Sequence, residues 1–175
     1  IKEAEATFNR FIEKYPDEAL VSEAYSMRGD IEAAKDGRDN PDTPDVNEYD
    51  PNTLDRALAD YRKAIDTATT PLQASYPAFQ AAKVFKLEYK WQGIIDLMNY
   101  YMNRWEGEAN IAEAVYWVGQ AQIELGQLQE EAIPSYIKAI MRFGNDPQML
   151  GVDKIINELV MISSQYLTPA EQEGL

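Results

Sequence analysis

Apolar and small residues recur at intervals of three and four along nearly the whole chain, and no segment alternates apolar with polar residues as a half-buried strand would. This rhythm predicts helices over 2–15, 19–35, 54–69, 75–90, 92–105, 110–125, 129–143 and 150–166, with breaks at Pro or Gly. Connections such as Tyr15-Pro16-Asp17 and Gly126-Gln127-Leu128 are short, so neighbouring helices must pack antiparallel. The expected fold class is all-α.

Several of these helices repeat one pattern. Ala4-Phe8-Phe11-Pro16, Ala57-Tyr61-Ala64-Pro71 and Ala132-Tyr136-Ala139 each place a small residue four before an aromatic, then a small or apolar residue three later. Ala lets two helices approach closely, and the aromatic one turn on fills the space beside them. Ile94-Met98-Tyr101 is a weaker copy with larger residues. The leading positions 4, 57, 94 and 132 lie 53, 37 and 38 residues apart. Two of these intervals are close to the period of about 34 shown by helix-turn-helix arrays.

On these residues the chain resembles the tetratricopeptide repeat (TPR) superfamily, most closely over AEAVYWVGQAQIELGQLQEEAIPSYIKAI, residues 112–140. Val118-Gly119 stands where that family has Leu-Gly, Gly126 stands at its inter-helix turn, and Ala132, Tyr136 and Ala139 occupy its second-helix positions. One extra residue is inserted near Gln129. The resemblance implies an antiparallel helix-pair solenoid, a right-handed superhelix of about three and a half repeats. Residues 1–16 would be a half repeat, 19–71 a repeat with an insertion, 75–106 a degenerate repeat, 110–144 a repeat and 147–175 the start of another. The departures are Arg28 before Gly29, where the pattern wants Leu, and Ala82 in the Gly position of the third repeat. Phe8-x-x-Phe11-Ile12-x-x-Tyr15-Pro16 also resembles repeats of bacterial cell-envelope members, which implies a periplasmic or cell-envelope location, with the cytoplasm as the alternative.

The stretch 36–53, DGRDNPDTPDVNEYDPNT, interrupts the second repeat. Gly29 and Ala57 lie 28 apart, against 13 for Gly119 and Ala132. Its three prolines and one glycine exclude a helix. Loop carboxylates such as Asp39, Asp42 and Asp45 are candidate calcium ligands, because hard cations take oxygen donors. Their recurrence mostly every third residue does not match an EF-hand, and a solvated acidic insertion is the competing reading.

Composition narrows the chemistry. The 175 residues include no Cys and no His, which excludes disulfides, thiolate or imidazole metal sites and His- or Cys-dependent catalysis. The net charge of -14 argues against nucleic acid and anionic membrane surfaces as partners, since both bind through clustered Lys and Arg. No run approaches the roughly 18 apolar residues of a membrane-spanning helix. The capping box Thr168-Pro169-Ala170-Glu171 opens a helix close to Leu175, so a longer protein is expected. Phosphate loops, nucleophile elbows and zinc-protease helices are missing, and neighbouring carboxylates such as Glu130 and Glu131 point apart on a helix. No enzyme activity and no cofactor are expected.

Charge is uneven along the chain. Residues 61–105 hold six bases against three acids, while 106–175 hold three against eleven. On the helix 75–90, Ala78, Ala81, Ala82, Phe85 and Tyr89 form the expected packing face, and Phe79, Lys83, Lys86 and Lys90 a separate stripe. By resemblance, Phe79, Lys83 and Lys86, with Tyr116, Gln120, Ile123 and Glu124 of a later helix, line the concave groove of a TPR array. The site expected to bind a partner is therefore Phe79, Lys83, Lys86, Tyr116, Gln120 and Glu124. Its occupant would be a protein or peptide segment, an acidic one included; the alternative is a solvated lysine face.

Trp91, Tyr100, Tyr101, Trp105, Tyr116 and Trp117 concentrate aromatic surface that is expected to be mostly core. Met149, Ile155, Ile156, Leu159, Val160 and Met161 give the last helix a broad apolar surface, part of it reserved for a further repeat. The expected function is a non-catalytic interaction scaffold or adaptor. The alternatives are a structural spacer or self-assembling array, and a calcium- or glycan-binding module.

Overall fold

The computed structural model describes residues 2–35, 52–108 and 110–166, so the insertion with Asp39, Asp42 and Asp45 and the segment from Thr168 onward lie outside the described residues. Among the described residues there are eight α-helices and no strand. The chain divides into two compact units, residues 1–90 and 91–175.

The first unit holds α1 (Lys2–Lys14), α2 (Val21–Lys35), α3 (Thr53–Thr67) and α4 (Pro71–Leu87). Helix α2 packs on α1 and α3, α3 packs on α4, and α2 also meets α4. Ile12, Val21 and Ala24 join α1 to α2, with Phe8, Phe11 and Tyr25 around them. Ala4 is exposed, so the first copy of the small-aromatic motif is only half used. In the second copy Ala57, Tyr61 and Ala64 are all buried. Tyr61 lies against Gly29 of α2: a Cβ at Gly29 would sit 2.7 and 2.8 Å from two ring carbons. That contact explains why the position is Gly. The hydroxyl of Ser22, also buried, donates to the Ala64 carbonyl at 2.9 Å and ties the same two helices.

Helix α4 begins four residues earlier than the periodicity predicts. Thr70 caps it by accepting from the Gln73 amide, and Pro71 occupies the first turn, where a missing N–H is harmless. Gln73 accepts from the Thr69 amide and hydroxyl and donates to Glu23 and to the Ala19 carbonyl, which fixes the start of α4 on the start of α2. At the other end Tyr89 has φ 56, the Tyr89 amide donates to Lys86 and the Lys90 amide to Phe85. This is a Schellman ending with Tyr in the place usually taken by Gly. It turns Tyr89 out to 78% exposure, so Tyr89 does not belong to the packing face; Val84 is buried there instead, with Ala78, Ala81 and Ala82.

The second unit holds α5 (Trp91–Arg104), α6 (Ile111–Glu124), α7 (Ile133–Phe143) and α8 (Val152–Tyr166). Helix α6 packs on α5, α7 and α8, and α7 on α8. Ile94, Met98 and Tyr101 of the weak motif copy are buried, as are Ala132, Tyr136 and Ala139. Tyr136 lies on Gly119 more closely than Tyr61 lies on Gly29, and a Cβ at Gly119 would overlap the ring. Gly126, at φ 77, ends α6 with its amide on Ile123 and the Gln127 amide on Gln122. The extra residue near Gln129 is taken up by a π-helical turn, Leu128–Ala132, in which the Ala132 amide reaches back five residues to Gln127. The turn restores the register that seats Tyr136 on Gly119. Before α8, Gly151 has φ 97, and a Cβ there would lie 2.5 Å from the backbone nitrogen of Glu113, so α8 starts hard against α6. The expected repeat 75–106 is divided, with α4 in the first unit and α5 in the second.

Candidate functional site

The expected site residues fall in both units, Phe79, Lys83 and Lys86 on α4 of the first and Tyr116, Gln120 and Glu124 on α6 of the second. On α4 the spacing places Tyr76, Phe79, Lys83 and Lys86 along one stripe. Phe79 is half-buried, Tyr76 is 49% exposed, and Lys83 and Lys86 are exposed. Neither lysine reaches a carboxylate among the described residues; Lys83 donates only to Gln80, at 3.3 Å. Lys90, which sequence spacing adds to the stripe, is held by Glu88 at 2.9 Å and Asp55 at 3.4 Å. Those carboxylates raise its pKa, with the Glu88 hydrogen bond foremost. Among the described residues, the positive charge of α4 without a carboxylate partner therefore narrows to Lys83 and Lys86.

On α6, Tyr116, Gln120 and Glu124 follow at intervals of four, and exposure rises along them from half-buried to exposed. Tyr116 stacks on Tyr136 with ring centres 6.5 Å apart and meets Trp117 edge-on at 6.4 Å. Its own carbonyl accepts the Tyr136 hydroxyl at 3.1 Å. Burial, then the Glu158 charge, raises the Tyr116 pKa against a partial offset from Lys154. Burial also raises that of Tyr136, with a Gln120 hydrogen bond pulling the other way. Lys154 of α8 pairs with Glu113 of α6 at 2.5 Å. Tyr116 and Gln120 thus serve packing as well as surface, and Glu124 is exposed.

Sequence reasoning missed the polar network of the first unit. Asp60 is buried and is gripped by Arg28 through Nε at 2.7 Å and a second nitrogen at 2.5 Å. Arg28 also donates to Asn9 at 2.7 Å. Glu32, 4% exposed, accepts from Lys35 and Arg56, both at 2.7 Å, and Lys35 reaches on to Glu5 at 2.8 Å. Burial alone would push the Glu32 carboxyl up; hydrogen bonds and charges from Lys35 and Arg56 outweigh it and hold the group below its ordinary value. Asp30 accepts from Tyr61 at 2.7 Å and from Tyr76 at 3.0 Å. Every one of these groups is spoken for by its neighbours, which makes the network structural. Arg28 before Gly29 was its one visible sign in the sequence.

Of the aromatics between 91 and 117, Tyr101 is buried, and Trp91, Tyr100, Trp105, Tyr116 and Trp117 are half-buried. Burial pushes the Tyr101 phenol up to about 12. Among the described residues no group of three or more acids is placed to hold a metal ion, and no helix is long and apolar enough to cross a membrane.

Paired helices, two glycine–tyrosine interlocks of one register and a motif returning at 37 and 38 residues define an all-α helical repeat protein. No family model and no curated protein matches the chain. Among solved structures, it is similar to YrrB, described as a TPR protein with an unusual peptide-binding site, at 20% identity and a TM-score of 0.49, over 95% of this chain and 75% of that one.

Proposed function

We propose that this protein is a non-catalytic interaction scaffold that binds an acidic peptide segment along α4. The observation that carries the reading is the stripe Tyr76, Phe79, Lys83 and Lys86, in which two lysines without a described carboxylate partner follow two aromatic rings on one helix face. A peptide laid there would place apolar side chains on the rings and carboxylates on the ammonium groups. An acidic protein repels most acidic segments, so such a stripe is a means of selecting a place for one. Tyr116, Gln120 and Glu124 offer a second, more polar surface on α6. The motif ending at Tyr15-Pro16 favours the periplasm or cell envelope as the place of action.

Capture of partners from a source lysate, with wild type and with Lys83→Glu/Lys86→Glu at two salt concentrations, tests the reading. A partner lost in the variant, weakened by salt and displaced by a Glu-rich peptide supports it. A partner retained in the variant refutes the α4 stripe as its site. Recovery of the protein alone favours a spacer or self-assembling array.

A further inference from the structure

Helix α2 supplies the wall beside the α4 stripe. Gln73 of α4 donates to Glu23 at 2.9 Å and Tyr76 donates to Asp30 at 3.0 Å, so the two helices run side by side in the same direction. Glu23, Met27 and Asp30 follow at intervals of four and three on one face of α2, and Met27 is 51% exposed. Asp30 differs from the other carboxylates of its network. Asp60 faces Arg28, and Glu32 faces Lys35 and Arg56; among the described residues Asp30 accepts only from the phenols of Tyr61 and Tyr76. Burial first, then Asp30 itself, raises the pKa of both phenols, so they donate to the carboxylate without cancelling its charge. Glu23 also meets no cation among the described residues. One of its oxygens accepts from the Gln73 side-chain amide, and the other is shut from water with no hydrogen-bond partner.

We propose that Asp30, with Glu23, polarises the groove between α2 and α4, so that it selects a segment with basic residues at one end, apolar ones in the middle and acids at the other end. The inference rests on the acidic-peptide reading and narrows it. Lys83 and Lys86 lie seven and ten residues beyond Tyr76, about 10 and 15 Å along the helix axis, or roughly three to five residues of extended chain. The near end carries two carboxylates without a cation, and Arg28 beside them is clamped on Asp60. The far end carries the two lysines. After Glu32, α2 adds only Ala33, Ala34 and Lys35, and Lys35 is held by Glu5 and Glu32. Carboxylates partly withdrawn from water are screened less than exposed ones, so their field reaches across the groove. An acid over Tyr76 is repelled and a Lys or Arg there attracted; over Lys86 the signs reverse. Tyr76, tied through Asp30 to the Tyr61 that sits on Gly29, is held in place for the apolar side chain between them.

Two labelled peptides of one length, compared by fluorescence anisotropy, test this. Both carry Leu and Phe at the centre and a pair of Glu at one end; the bipolar peptide has a pair of Lys at the other end, the all-acidic peptide a second pair of Glu. The bipolar peptide is expected to bind about tenfold more tightly, with the ratio shrinking as salt rises. Asp30→Asn/Glu23→Gln, which keeps hydrogen-bonding groups at both places, should cut that ratio about fivefold. Glu3→Gln/Glu13→Gln, an equal change of net charge at exposed positions of α1, should cut it less than about twofold. Loss of fold weakens both peptides alike and leaves their ratio, so the ratio reports charge. Glu23→Gln alone repeats the test should the double variant melt early. Lys83→Glu/Lys86→Glu reads the underlying stripe and should abolish binding of the all-acidic peptide. A ratio untouched by Asp30→Asn/Glu23→Gln, or cut equally by the α1 variant, would overturn the polarised groove and leave the acidic-peptide reading standing. Failure of both peptides to bind, or binding indifferent to Lys83 and Lys86, would refute that reading and this inference with it.

Discussion

Gly29–Tyr61 in the first unit and Gly119–Tyr136 in the second are one packing device in two chemical settings. In the first, the tyrosine hydroxyl donates to the Asp30 carboxylate, and the residue before the glycine is Arg28, clamped on Asp60. In the second, the hydroxyl donates to a backbone carbonyl, the ring stacks on Tyr116, and the residue before the glycine is the buried Val118. Position for position, Arg28 and Asp60 are replaced by Val118 and Ser135. The shape of the interlock is common to both units, while the pair beside it differs in both members.

The comparison breaks most readily at the glycines. Gly119→Ala should cost about 3 kcal/mol and Gly29→Ala about 2 kcal/mol, because the Tyr136 ring leaves less room than the Tyr61 ring; thermal melts of the two variants check the order. Equal losses would show that the two interlocks relax alike. Asp60→Ala should cost about 2 kcal/mol by leaving the half-buried Arg28 without its carboxylate, while Arg28→Val/Asp60→Ser should restore most of that stability. A double variant no better than Asp60→Ala would mean that the charged pair does more than fill its place.

Acid separates the chemical settings further. The Glu32 carboxyl is held below its ordinary 4.5, so its contribution is fully present above that pH and is lost as pH falls through the lower folded value. Melting curves against pH should show this loss in wild type and a flatter acid limb in Glu32→Gln. The smallest effect concerns the end of α4: Tyr89→Gly should gain about 1 kcal/mol by relieving a side chain from the left-handed conformation. A loss there would show that the contacts of the Tyr89 side chain outweigh the strain of its backbone.

The eight helices of the described residues were legible in the sequence, because their apolar rhythm is local and most of their breaks hold Pro or Gly. The start of α4 was not: Thr70-Pro71-Leu72-Gln73 is a cap, yet Pro71 reads equally well as the end of what precedes it. Nor was the turning out of Tyr89, since a left-handed residue at a helix end is foreseen only where it is Gly. The stripe on α4 and the row on α6 that make up the proposed site were legible as helical spacings. The pairings that reduce its free charge were not: Lys90 meets Asp55 across 35 residues, and Arg28 meets Asp60 across 32. A single sequence gives residue types at such distances but not which of them meet.

The π-helical turn at Leu128–Ala132 bears on how this chain can change in length. A residue added inside an ordinary helix rotates everything after it by about 100°, and would carry Tyr136 away from Gly119. Here the backbone widens by one residue for a single turn and then resumes. The added residue is confined to a bulge whose side chains at 129, 130 and 131 are exposed. The segment has the geometry of a slip joint: deletion of Gln129 is expected to close the turn to an ordinary one while Tyr136 stays in its seat, with a melting temperature close to that of the wild type as the check.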